Sequence, residues 1–161
     1  SGKLTANNRP LRGQKGEVYE GGIRVPTLVS WPGKLRQGTF DGVAHISDWM
    51  PTFCALAGFV PEKNLQWDGI NIWPQLTGAQ PTKPRTVYTA APGFRTRALR
   101  DGDWKLIVHR GGDSAGVELF DLDKDPRETT NLAPQMPDKV AEMQGKLAQV
   151  SQADRDAVPG D

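Results

Sequence analysis

One cysteine and two histidines in 161 residues leave little material for metal or redox chemistry. A lone thiol, Cys54, excludes an intramolecular disulfide and any multi-cysteine zinc site. Two imidazoles, His45 and His109, exclude a histidine-rich metal centre. Twenty basic against nineteen acidic side chains give a formal charge of +1 at pH 7, no global attraction for nucleic acid or an anionic membrane. No apolar run approaches the roughly 18 residues that cross a bilayer. The opening SGKLTANNRP lacks the apolar stretch of a secretory leader. No serine stands in a G-x-S-x-G elbow, so a Ser-His-Asp hydrolase has no nucleophile here.

Glycine and proline are plentiful, 18 and 13 of 161. They break the chain into short elements, the texture of a loop-rich α+β protein. Residues 1–22 are polar and glycine-rich and read as a loop that other structure must hold. Basic side chains outnumber acidic ones here, and glycines allow close backbone approach to an anion. Lys15, between Gly13 and Gly16, is the candidate anion contact, although the Walker pattern of a phosphate loop is absent. Ile23–Trp31 is apolar and β-branched and predicts a buried strand, with Pro26 confining it to an edge or a late start.

Ser47–Ala57 predicts a short helix, with Ser47 or Asp48 as its cap and Trp49, Phe53, Leu56 and Cys54 on its apolar side. His45 and Asp48 could share a metal, but two ligands make a poor site. Residues 59–85 form an irregular connection, with a turn of helix in 70–76. From Arg85 onward four short runs, 85–90, 96–100, 104–109 and 117–122, are separated by turn signals. Among these Asp101-Gly102 is a strong hairpin marker, and the pattern is an antiparallel meander. Asp121, Asp123 and Asp125 alternate like a calcium loop, but Pro126 and Leu132 stand where such a loop needs Gly and Glu. Pro137–Val150 carries Val140, Met143, Leu147 and Val150 on one stripe, a helix suited to covering the meander.

The order of motifs adds a resemblance. Pro10-Leu11-Arg12-Gly13-x-Lys15-Gly16, Tyr19-Glu20-Gly21-Gly22-x-Arg24-Val25-Pro26 and Trp31-Pro32-Gly33 resemble consecutive segments of the sulfatase family. So do Asp48-x-x-Pro51-Thr52, Leu56-Ala57-Gly58, Trp104-Lys105-Leu106, Glu118-Leu119-Phe120-Asp121-Leu122 and Glu128-x-x-Asn131-Leu132. The likeness runs from about residue 7 to about residue 150 and covers the C-terminal portion of such enzymes. It implies an alkaline-phosphatase-like fold. Residues 1–84 would be a remnant of the catalytic α/β domain and 85–150 a small antiparallel sheet under a helix, with 151–161 a disordered tail.

The resemblance implies that Lys15 contacts the sulfate of an ester substrate. Arg12 and His45 are the further candidates for substrate contact. Glu20, Arg24 and Asp48 are read as structural, a partly buried ion pair and a helix cap. Intact sulfatases use a formylglycine and a calcium ion, but Cys54 lacks the x-Pro-x-Arg that marks the formylglycine precursor, and no metal ligand is assigned in this sequence. The expectation is a sulfatase fragment that is inactive alone. Two alternatives stand beside it: a non-catalytic binding or self-assembling module, and a piece of a phosphate or phosphonate monoester hydrolase. Partners would be the missing N-terminal portion or further copies of the chain, with no nucleic acid and no membrane.

Overall fold

A computed structural model describes residues 7–110 and 116–152. The chain divides into two compact units: one joins the segment up to Pro26 with the segment from Arg85 onward, and the other is Thr27–Pro84. The boundary read from the sequence at residue 84 separates these units on one side only. The basic loop groups with the sheet that follows 58 residues later, not with Thr27–Pro84, because a buried ion cluster ties it there.

The first unit is built on the meander. Strands β1 (Thr86–Ala90), β2 (Thr96–Asp101), β3 (Trp104–His109) and β4 (Val117–Asp121) pair antiparallel in sequence order. Tyr88 lies opposite Leu99, Leu99 opposite Leu106, and Leu106 opposite Leu119. That row forms one face, and helix α4 (Pro137–Val150) lays Met143 and Leu147 onto it. Residues one position along each strand point to the opposite face. There Ala98, Ile107 and Phe120 pack with Val18 and Leu122. The N-terminal loop therefore covers the face that α4 leaves bare. The loop ends in a single helical turn, α1 (Glu20–Ile23), where the sequence pattern predicts loop and the start of a strand.

The expected strand over Ile23–Trp31 does not form. Residues 24–31 carry no ladder assignment, and Leu28 is 93% exposed. A strand needs a neighbour to accept and donate its backbone bonds, and no described segment supplies one.

In the second unit a 3₁₀ turn, Ile46–Asp48, leads into α2 (Trp49–Leu56), with the short α3 (Trp73–Leu76) further on. The expected apolar side of α2 is corrected: Pro51 and Thr52 are buried, whereas Phe53 is 58% exposed. The reason lies in the hydrogen bonds. Asp48 is fully buried and accepts the N–H groups of His45 at 2.7 Å and Ile70 at 3.0 Å. Thr52 Oγ1 donates to the Asp48 carbonyl at 2.7 Å and accepts the Ile72 N–H at 3.0 Å. The polar edge of the helix is thus the one laced to the chain. Cys54 is half-buried, 4.0 Å from the Met50 sulfur.

The assignment of residues 151–161 as a disordered tail falls, from 153 on, outside the described residues, as does the Gly111-Gly112 turn.

Candidate functional site

The N-terminal loop concentrates the chemistry-bearing side chains. Lys15 and Gly16 occupy the centre of a turn closed by the Glu17 N–H donating to the Gln14 carbonyl at 3.0 Å. Gly16 takes φ 93°, a conformation that side-chain-bearing residues resist. The Glu17 carboxylate accepts the Gln14 N–H at 3.0 Å and closes the turn a second time. Lys15 is exposed, and its ammonium makes no hydrogen bond or ion pair among the described residues.

Both ends of this loop are pinned to the sheet. At the first end, the Arg12 guanidinium donates to Glu118 Oε1 at 3.1 Å, to the Glu128 carbonyl at 3.0 Å and to the Tyr19 hydroxyl at 3.1 Å. It also lies over the Tyr19 ring, 4.0 Å from its centre. Glu118 in turn accepts from the Tyr19 hydroxyl and, at 3.1 Å, faces His109 Nε2. His109 Nδ1 is 3.2 Å from Thr96 Oγ1. Burial pulls the Glu118 carboxyl upward, but the bonds from Tyr19 and His109 and the charge of Arg12 outweigh it and hold it below its ordinary range. The Tyr19 hydroxyl is pushed well up, chiefly by burial and then by its bond to Glu118.

At the second end, Lys105 of β3 is 1% exposed and its Nζ lies 2.8 Å from both Glu20 Oε1 and Glu128 Oε1. Glu128 Oε2 accepts the Glu20 backbone N–H at 2.7 Å. The Glu128 carboxyl is raised by burial in spite of Lys105. Its backbone sits at φ 55°, unusual for a residue with a side chain. This corrects the expected ion pair: Glu20 meets Lys105, and Arg24 is exposed.

Gly21 and Gly22 complete the cradle. A Cβ on Gly21 would lie 2.5 Å from the Arg12 carbonyl oxygen, and one on Gly22 would lie 2.3 Å from that of Glu17. Only glycine lets the chain fold back this tightly, and the Gly21 N–H donates to the Arg12 carbonyl at 2.7 Å.

The other two candidates are engaged within the protein. The three donor contacts of Arg12 are those just described. His45 belongs to the second unit, where it starts the 3₁₀ turn. Its Nδ1 faces Ser47 Oγ at 2.9 Å, and its N–H and the Asp48 carboxylate form a capping pair. Asp48 thus stands at the N-cap position of α2, as expected, but its carboxylate makes no capping bond to that helix and instead serves the 3₁₀ turn three residues after His45. Asp125 accepts from Thr129 and Thr130 within its own turn. Among the described residues no three His, Cys, Asp or Glu side chains gather to hold a metal ion. No Cys or Ser of the sequence is followed by x-Pro-x-Arg. The described residues thus do not fit a calcium centre, and the sequence holds no precursor motif for a formylglycine. The Lys105–Glu20–Glu128 cluster was missed in the sequence, since its members are 23 to 108 positions apart; a lysine in the apolar run Trp104–His109 was the one signal.

Comparison with known proteins bears on the family of the chain. A family model described as "N-sulphoglucosamine sulphohydrolase, C-terminal" matches residues 14–153. Arylsulfatase K of Xenopus laevis is 29% identical over 92% of this chain and 29% of its own length. Arylsulfatase A of Homo sapiens is 34% identical over 76% of the chain and 28% of its own length. The crystal structure of Ps i-CgsB in complex with a neocarrahexaose superposes with a TM-score of 0.79 at 31% identity, covering 91% of this chain and 33% of that one. The chain thus spans about a third or less of the relatives it matches. With its small four-stranded sheet and helices, the chain belongs to the sulfatase family and corresponds to the C-terminal portion of those enzymes.

Proposed function

We propose that this chain supplies one wall of a sulfatase active site, with Lys15 as the cation that meets the ester's sulfate oxygens. The observation that carries the reading is the Lys15 ammonium, without a hydrogen bond or ion pair among the described residues, at the apex of a turn whose two ends are fastened to a sheet. Hydrolysis of a sulfate ester builds negative charge on the departing oxygen and the sulfuryl group, and a fixed cation lowers the cost of that charge without reorganising. Arg12 and His45 take supporting roles, because their polar atoms already serve the loop and the 3₁₀ turn. The nucleophile and metal ligands belong to polypeptide outside these residues, so the chain alone does not turn over substrate.

The test has two arms. The purified chain, given a chromogenic aryl sulfate and Ca²⁺, is expected to release no more product than Lys15→Ala; turnover that co-purifies with the chain overturns the reading. In a sulfatase carrying this chain as its C-terminal portion, Lys15→Ala is expected to lower kcat/KM by about 10²-fold, and an unchanged value removes Lys15 from the chemistry.

A second reading, a self-associating module, is favoured by the exposed apolar surface of the second unit. Trp31, Trp49, Phe53, Leu56 and Trp73 line an open cleft of about 400 Å³. Such surface is ordinarily covered by another chain or another part of the same one.

A further inference from the structure

We infer that Lys105 is a positioning residue for the Lys15 turn, acting through Glu20 and Glu128 at a distance from any substrate; the inference rests on the reading of Lys15 as the anion contact. A lysine buried in a sheet face is not needed for packing. An apolar side chain of similar volume would serve the sheet at least as well. What the charge does is hold two carboxylates that approach from different parts of the chain. Glu20 opens α1, five positions after Lys15. It is gripped twice, its carboxylate by Lys105 at 2.8 Å and its N–H by Glu128 at 2.7 Å.

From Glu20 the grip passes back along the loop by short steps. The Gly21 N–H bonds to the Arg12 carbonyl, the Gly22 N–H to that of Tyr19, and the Glu17 N–H to that of Gln14. Close approach at Gly21 and Gly22 leaves these joints no slack. Glu128 serves both ends of the loop, since its carbonyl takes Arg12 while its carboxylate takes Glu20 and Lys105. Without the ammonium, two carboxylates would face each other in a buried site, and one would have to take a proton or leave. Departure of Glu20 carries α1 with it and frees the turn. The sheet itself has separate support: Leu99, Leu106 and Leu119 are held from the opposite face by Met143 and Leu147.

Amide hydrogen exchange on the full chain tests this. Lys105→Met is expected to speed exchange at Glu17, Glu20, Gly21 and Gly22 by about tenfold or more relative to the amides of Leu106 and Leu119. Exchange that rises equally in loop and sheet assigns Lys105 to general stability and overturns the proposal. So does a loop that stays protected. Should Lys105→Met fail to fold, Glu20→Gln removes the same ion contact from the loop side with little change of shape, and the same selective loosening is expected. Lys15→Ala should leave both sets of amides unchanged. In the sulfatase assay above, Lys105→Met should lower kcat/KM, and the Lys15→Ala/Lys105→Met double variant should fall little further than Lys15→Ala; full additivity overturns the link. If Lys15→Ala proves silent there, the reading of Lys15 has failed, and the exchange data still decide what Lys105 does to the loop.

Discussion

The Glu128 carboxylate accepts the backbone N–H of Glu20 at 2.7 Å, joining positions 108 apart in the chain. A bond of this kind satisfies one of the free N–H groups at the start of α1 and places a negative charge at a helix N-terminus, both favourable. It also makes one side chain answerable for two segments, which gives its substitution a distinctive signature.

Removing the cation of the cluster should be costly. Lys105→Ala is expected to destabilise the chain by about 3–5 kcal/mol, the range for breaking a buried ion pair and leaving its partners unmatched. Urea denaturation at neutral pH measures it. Glu128→Gln, which keeps the shape and leaves Lys105 paired with Glu20, should cost clearly less.

Two glutamates should show opposite pH dependence. Glu118 is held below its ordinary 4.5, so its charged form stabilises the fold above that pH and the benefit is lost as pH falls through the folded value. The penalty of Glu118→Gln should therefore shrink on acidification below about 4.5. Glu128 is raised above 4.5 by burial, so its contribution is full below 4.5 and declines as pH rises through the folded value. Glu128→Gln should compare better with the parent at pH 7 than at pH 4. Denaturant midpoints at the two pH values give both signs.

Gly21→Ala should open the loop. The new Cβ would stand 2.5 Å from a backbone oxygen, a clash that only a backbone shift relieves, at a cost of about 1–3 kcal/mol. The expected sign is rapid exchange of the Glu17 and Gly22 amides in a chain whose sheet remains protected.

The far face of the sheet should behave as an ordinary core. Leu119→Ala and Met143→Ala both truncate fully buried side chains and are expected to cost about 2–5 kcal/mol each. The two residues belong to one cluster, so their double variant should depart from additivity.

In the second unit, Phe53→Lys tests the self-association reading. Phe53 is exposed and lines the apolar cleft, so the parent should show a concentration-dependent mass by light scattering that the variant reduces. A parent that stays monomeric at high concentration counts against a self-assembling module.

The sequence was most legible where structure is local. The meander was visible because turn dipeptides bracket each run and because β2, β3 and β4 follow within a few residues of one another, apart from the gap before β4. The helix Pro137–Val150 showed its start at Pro137 and its stripe at Met143 and Leu147. The strand expected over Ile23–Trp31 failed for the converse reason: apolar β-branched residues signal a strand only when a ladder partner is at hand. The side of α2 was misjudged because hydrophobicity pointed to Phe53, while Asp48 and Thr52 carried the hydrogen bonds. At the site, glycines around Lys15 suggested an anion-facing turn. What holds that turn was hidden, since Lys105 and Glu128 are distant in sequence and a buried charge cluster has no periodicity.

The clasp between Glu20 and Lys105 spans 85 positions. During synthesis the loop leaves the ribosome long before the strand that anchors it, and Thr27–Pro84 is made in between. Contacts of such wide separation form late and slow the search for the native topology. The Lys15 turn is therefore expected to acquire its shape only once translation has carried Lys105, and then Glu128, into the open.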